Sequence, residues 1–214
     1  MAGTLVTPLP AASAIVVRDA PLEVLLLRRH EKSSFMPNAW VFPGGIAEPQ
    51  DAELGDGSTL ATMRITAARE TFEESGLWLG AALHDAEEKR RAMLEGRIAF
   101  RELIAEAPID FEALVWTSRW ITPVGVPKRF DTYFFLAAVP RTASASVDRE
   151  EMTDFTWVAP HDALRGDLQL VFPTRKNLEA IATFTSVDAL LAARRSAIIE
   201  PIEPVLVNGK PVLR

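Results

Sequence analysis

The sequence predicts a mixed α/β fold, with helices packed on a mixed sheet. Apolar runs of strand length open the chain and recur in its middle. A long helical stretch separates the two groups, and shorter helical stretches follow the last strand. No internal repeat or low-complexity segment interrupts the 214 residues, so the reading is one domain over 1–214 with a helical insert at about 80–108.

Ala14 to Val17 and Leu22 to Leu27 read as strands joined by a turn at Asp19-Ala20-Pro21. Ala39 to Phe42 is a short apolar run, ended by Pro43-Gly44-Gly45, where a loop is expected. Glu48 to Ser58, rich in Asp, Glu, Gly and Pro, reads as a surface loop. Ser58 can N-cap a helix from Thr59 to Ser75, and Gly76 can end it. Asp85 to Ala107 is helical in pattern, with Gly96 a point of division. Strands are expected at Leu114–Ile121, Thr132–Ala138 and Phe155–Val158. Helices are expected at His161–Arg165, Thr174–Phe184 and Val187–Arg194. Asn208-Gly209 marks a hairpin turn within Val205–Leu213.

Composition narrows the function. Hydrophobic residues make up 48% and charged residues 24%, an ordinary balance for a water-soluble globular chain, and no apolar run is long enough to cross a bilayer. No cysteine is present, so disulfides, thiolate metal sites and cysteine nucleophiles are excluded. The expected address is cytoplasmic, since Met1 to Ala20 has no secretory pattern. A net charge of −6 disfavours nucleic acid as a partner. Three histidines without ligand spacing disfavour a histidine-based zinc site. The five tryptophans, Trp120 above all, read as core rather than as base-stacking residues.

The segment that carries chemistry is Arg69-Glu70-Thr71-Phe72-Glu73-Glu74-Ser75-Gly76-Leu77. Glu70, Glu73 and Glu74 follow i, i+3, i+4 spacing, so a helix gathers three carboxylates on one face. Like charges there repel, and the last turn of a helix disfavours anions. A hard cation such as Mg²⁺ reverses both penalties, because it takes oxygen ligands and bridges to phosphates. The competing reading is a solvated acidic face, with Arg69 paired to Glu73.

Those residues resemble the box of the Nudix hydrolase family, G-x5-E-x7-R-E-U-x-E-E-x-G-U. Gly45 fits its first position, and Arg69, Glu70, Glu73, Glu74, Gly76 and Leu77 fit its second half. Asp51 stands where the first glutamate belongs, Thr71 takes the first apolar position, and the loop before Arg69 carries ten extra residues. A longer surface loop costs little. Leu25-Leu26-Leu27-Arg28-Arg29-His30 before Phe42-Pro43-Gly44-Gly45, and Arg129-Phe130-Asp131-Thr132 before Phe134-Phe135, are similar to the coenzyme A and acyl-coenzyme A diphosphatase subgroup. Against that subgroup's signature Arg29 keeps the first arginine. Leu27, His30, Ser34 and Asn38 replace a threonine, a small residue, an arginine and a glycine.

The resemblance implies an α/β/α sandwich and hydrolysis of a diphosphate linkage in a nucleoside diphosphate derivative. It implies Mg²⁺ or Mn²⁺ held by Glu70, Glu73, Glu74 and the carbonyl of Gly44. Arg69 orients a glutamate, and Arg28, Arg29, Gly45 and Arg129 are the candidate substrate-binding residues. The general base falls on Glu70 or on a later Glu150 or Glu151. Homodimers are frequent in the family. Coenzyme A or its acyl esters lead among the substrates, with ADP-ribose or dinucleotides as the alternative. A ligand-sensing module without catalysis is the alternative of another class.

Overall fold

The computed structural model describes residues 6–33, 36–147 and 149–213, so Ser34 lies outside the described residues. Its elements run β1 (Leu9–Arg18), β2 (Glu23–Arg29), β3 (Trp40–Val41), β4 (Gly44–Ile46), α1 (Pro49–Leu54) and α2 (Thr59–Ser75). Then come α3 (Ala86–Leu94), α4 (Phe100–Glu106), a short 3-10 turn at Phe111–Ala113, β5 (Val115–Ile121), β6 (Phe130–Ala138) and β7 (Met152–Val158). The chain closes with α5 (Pro160–Arg165), α6 (Phe172–Ile181), α7 (Val187–Arg195), β8 (Pro201–Ile202), β9 (Val205–Val207) and β10 (Lys210–Val212).

One mixed sheet takes the order β3-β2-β1-β6-β5-β8, with β4 also on β1 and β7 also on β2. β1 runs parallel to β6 along its whole length. Parallel neighbours need a long crossover, and here that crossover contains α1 to α4. Both faces of the sheet are covered, and strand alternation sorts the side chains between them. Ala12, Ala14, Val16, Leu25, Leu27 and Phe135 pack with Met63, Ala67 and Ala68 of α2 and Phe100 of α4. Ile15, Val17, Val24, Leu26 and Leu136 pack with Ala163 of α5, Leu178 of α6 and Leu190 of α7. This is the expected α/β/α layering. Trp120 is buried in the second of these layers, edge-on to Phe172.

Two features correct the sequence reading. Glu48 to Ser58 is not wholly loop: Pro49 opens α1, and the Glu48 N–H donates to the Asp51 carboxylate at 3.0 Å, tying off the first turn. Gly44-Gly45 is not the start of a loop but of β4, paired antiparallel with Ala11 to Ser13. A side chain at Gly44 would lie 2.4 Å from the Ala12 carbonyl oxygen, so only glycine fits against β1 there.

β1 changes partner along its length. Its C-terminal end, at Val17 and Arg18, pairs with β2, while its N-terminal part pairs with β4. The C-terminal end of β2 pairs instead with β3, while β7 runs along β2 from Val24 to Arg29. The sheet therefore divides between the beginning of β1 and the end of β2, and the chain from Phe42 to Gly45 runs at that division.

Candidate active site

α2 is built to hold its last turn still. Ser58 caps it by accepting from the Ala61 N–H at 3.2 Å, and Gly76, at φ 67°, ends it with its N–H on the Phe72 carbonyl. On its inner face Arg69 is almost wholly buried and uses all five of its N–H groups. Nε and one Nη2 hydrogen reach the two oxygens of Asp51, each at 2.9 Å. The other Nη2 hydrogen goes to the Ile46 carbonyl at 3.1 Å. Nη1 goes to Glu70 and Glu73, each at 3.0 Å.

Asp51 thus fills the place of the expected glutamate despite its shorter reach. α1 supplies what the side chain lacks, by carrying the Asp51 backbone to Arg69 and burying the carboxylate completely. The Thr66 hydroxyl donates a further bond to it at 2.9 Å. A buried bidentate pair whose remaining lone pairs are also satisfied is the geometry in which attraction offsets desolvation.

The three glutamates sit differently. Glu74 is buried, and one of its oxygens accepts the Gly44 N–H at 2.9 Å. No cation among the described residues lies within ion-pair distance of it. Burial, and then the charge of Glu70, hold its carboxyl well above the ordinary range; the Gly44 bond and the charge of Arg29 oppose this only partly. Burial pushes Glu70 up to about 7, against the pull of Arg69. Burial also raises Glu73 against the same pull. Arg69 responds in kind. Burial alone would lower its pKa, but the bond to Asp51 and the charges of Glu70 and Glu73 raise it on balance. Gly45 lies close against Glu70: a Cβ there would stand 2.6 Å from the carboxylate.

Among the described residues no three His, Cys, Asp or Glu side chains converge on one point as metal ligands. Arg69 draws Glu70 and Glu73 toward itself instead. The chemistry of the donor set nevertheless fits a hard divalent cation. The donors are all oxygen, Glu70, Glu73 and Glu74 share the last turns of one helix, and Glu74 is buried with no cation of the described residues in ion-pair range.

The other expected residues separate. Arg28 and Arg29 end β2 at the division of the sheet, half-buried; Arg28 donates to Asn38 at 3.1 Å and Arg29 to the Ser33 hydroxyl at 3.0 Å. Neither is in an ion pair within the described residues, and Arg29 lies near enough for its charge to act on Glu74. Glu151, just before β7, also acts on Glu74, raising its pKa. Its backbone carbonyl accepts the His30 N–H at 2.9 Å, which places it beside the end of β2.

Arg129 is engaged within the fold. Its buried guanidinium donates to the Thr122 carbonyl at 2.8 Å and the Val6 carbonyl at 3.0 Å, and pairs with Glu203. These bonds tie the chain before β1 to the β5–β6 turn and to the C-terminal segment. The nearby Asp131 is held by Arg119 at 2.6 Å.

The sequence reading missed Arg90. This α3 residue is buried, and its Nε and Nη2 donate to the Glu73 carbonyl at 2.8 and 2.6 Å. Nη1 donates to the Ser146 hydroxyl at 3.0 Å. Carbonyls in the last turn of a helix lack internal partners, and a cation there also favours the helix dipole. The α3–α4 segment therefore anchors the end of the glutamate-bearing helix. Alternating Glu and Arg along α3 concealed this, because the pattern matches a solvated face.

A family model of the NUDT19 Nudix domain matches residues 54–169, just over half of the chain. The chain belongs to the Nudix hydrolase family. Within it, the match is to the branch that this NUDT19 domain describes. The chain is 33% identical over 161 residues to a putative nudix hydrolase 7 of Caenorhabditis elegans, an alignment spanning 72% of this chain and 52% of that protein. It is 31% identical to the acyl-coenzyme A diphosphatase NUDT19 of Xenopus laevis, over 66% of this chain and 54% of that one. The chain thus spans about half the length of these relatives. Among solved structures, a NUDIX hydrolase from Alicyclobacillus acidocaldarius superposes with a TM-score of 0.77 at 26% identity, covering 87% of this chain and 96% of that one.

Among the described residues no helix is long and apolar enough to cross a membrane.

Proposed function

We propose that the chain hydrolyses the diphosphate linkage of coenzyme A or an acyl-coenzyme A, with Mg²⁺ or Mn²⁺ held by Glu70, Glu73, Glu74 and the Gly44 carbonyl. One observation carries the reaction class. A buried carboxylate cluster with raised pKa values, costly to the fold by itself, is fixed in place by the saturated Arg69–Asp51 pair. A fold tolerates such a cluster where a cation is to be held. The substrate rests on the NUDT19 relatives, among them the acyl-coenzyme A diphosphatase of Xenopus laevis.

An ion held there would supply charge to offset the diphosphate oxygens and would lower the pKa of an attacking water. The protein supplies the rest. Arg69 holds the last turn of α2 in register with Gly44 and Gly45. Glu73, the most exposed of the three, has the freedom to turn from Arg69 toward Glu74. Arg28 and Arg29 offer positive charge for the substrate's phosphates at the end of β2. Glu151, coupled to Glu74, is placed to accept the proton of the attacking water.

The test is a panel of coenzyme A, acyl-coenzyme A, ADP-ribose and NADH with Mg²⁺ or Mn²⁺, with products identified by mass. Coenzyme A should yield 3′,5′-ADP and phosphopantetheine. Turnover of ADP-ribose or NADH alone would reassign the substrate. Absence of turnover on the whole panel, with metal bound, would favour a non-catalytic module.

A further inference from the structure

Beside Glu73 and Arg69 lies a groove of about 540 Å³ between the start of α1 and the junction of α3 and α4. Glu48 and Gln50 form one side, and Met93, Leu94, Gly96, Ile98, Ala99 and Phe100 form the other. Leu94 is 47% exposed, a large apolar side chain open to solvent next to a charged cluster. The fold does not need it there, since α3 is anchored through Arg90 and α4 through Phe100 and Leu103.

We propose that this groove receives the uncharged acylated pantetheine arm of the substrate and sets the preference for acyl chain. The inference rests on the acyl-coenzyme A reading above. It has two physical grounds. First, the groove is continuous with the cluster: Glu73 and Arg69 belong both to it and to the site of cleavage. Whatever extends from one phosphate of the diphosphate has this channel open to it.

Second, its charge selects which end of the substrate enters. The carboxylates are Glu48, Glu73 and Glu102. Of the two arginines, Arg69 has every N–H engaged and Arg97 is paired with Glu95 at 2.6 Å. A 3′-phosphorylated nucleoside would meet net negative charge here. A neutral amide-and-thioester arm is not repelled by that charge, and gains apolar contact with Met93, Leu94 and Ile98. Arg28 and Arg29 stand at the end of β2, where positive charge suits the nucleotide. The substrate then lies across the last turn of α2, nucleotide toward β2 and acyl arm toward α3–α4.

The experiment measures kcat/KM for dodecanoyl-coenzyme A and for coenzyme A on the full chain with Mg²⁺. It compares wild type with Leu94→Asp, Ile98→Asn and, as a surface control far from the groove, Ile198→Asp. Leu94 and Ile198 are exposed, so these two substitutions leave the core intact. The ratio of dodecanoyl-coenzyme A to coenzyme A should fall about tenfold in Leu94→Asp and Ile98→Asn, the usual scale for losing apolar contact in a pocket, and hold in Ile198→Asp. An unchanged ratio in both groove variants overturns the groove and leaves the reaction standing. A wild-type protein that cleaves neither ester nor free coenzyme A overturns the substrate reading, and the groove with it.

Discussion

Replacing Glu70 by glutamine should make the metal-free protein more stable at pH 8, although it removes a candidate catalytic group. Glu70 is pushed from an ordinary 4.5 to about 7, chiefly by burial. A carboxyl with a raised pKa binds its proton more tightly in the folded than in the unfolded chain. The stability it contributes is full below about 4.5 and is lost as pH rises through about 7. Above that, the charged side chain costs the fold about 3 kcal/mol, at ~1.4 kcal/mol per pH unit. Glutamine resembles the protonated acid. It keeps a carbonyl that accepts from Arg69 Nη1 and avoids the charge. Urea unfolding in EDTA, followed by tryptophan fluorescence, should show Glu70→Gln ahead of wild type by about 2–3 kcal/mol at pH 8 and by under about 1 kcal/mol at pH 5. Adding Mg²⁺ should reduce the difference, because an ion that binds the folded state stabilises wild type by mass action. A variant no more stable than wild type at pH 8, or an advantage that does not vary with pH, would refute the reasoning.

Asp51→Asn leaves Arg69 buried and short of its bidentate partner, and should cost about 3 kcal/mol in chemical unfolding. Arg90→Ala frees the Glu73 carbonyl in a buried place and should cost about 2 kcal/mol; Arg90→Lys should recover only part, since one ammonium replaces a fork that reaches two acceptors. Gly45→Ala places a methyl against the Glu70 carboxylate, and should lower kcat/KM at least tenfold while the thermal midpoint moves little. Arg129→Ala should lower stability and leave KM for a diphosphate substrate unchanged, which steady-state kinetics on the folded fraction would check.

Much of the fold was legible because local signals agreed with the tertiary structure. Ser58 and Gly76 bound α2 where the caps predict, and Asn208 and Gly209, at φ 52° and 75°, form the tight turn between β9 and β10. Gly96, at φ 69°, divides the helical stretch of 85–107 into α3 and α4. What stayed hidden depends on long-range partners. The composition of residues 48–58 reads as loop, and only the bond from Asp51 back to the Glu48 N–H, with Arg69 beyond it, shows why a helix forms there. Pro43-Gly44-Gly45 reads as a break, yet β1 recruits Gly44 and Gly45 into the sheet. The candidate glutamates are named by their spacing alone. Their burial is not legible there, nor is the support from Arg90, because both require α3 and the β6–β7 connection to fold over the end of α2. Arg129, a basic residue ahead of a strand, also fastens three chain segments, a role that depends on partners distant in sequence.

The central claim, that the glutamates of α2 hold the ion needed to split a diphosphate, meets its most direct test in the dependence of turnover on Mg²⁺ concentration. The comparison is wild type against Glu73→Gln and Glu74→Gln, with 3′,5′-ADP released from coenzyme A as the readout. Wild type should saturate with Mg²⁺, and both variants should fall at least a hundredfold and need far more Mg²⁺ to approach a plateau. Near-normal rates in either variant at saturating Mg²⁺ would contradict the account.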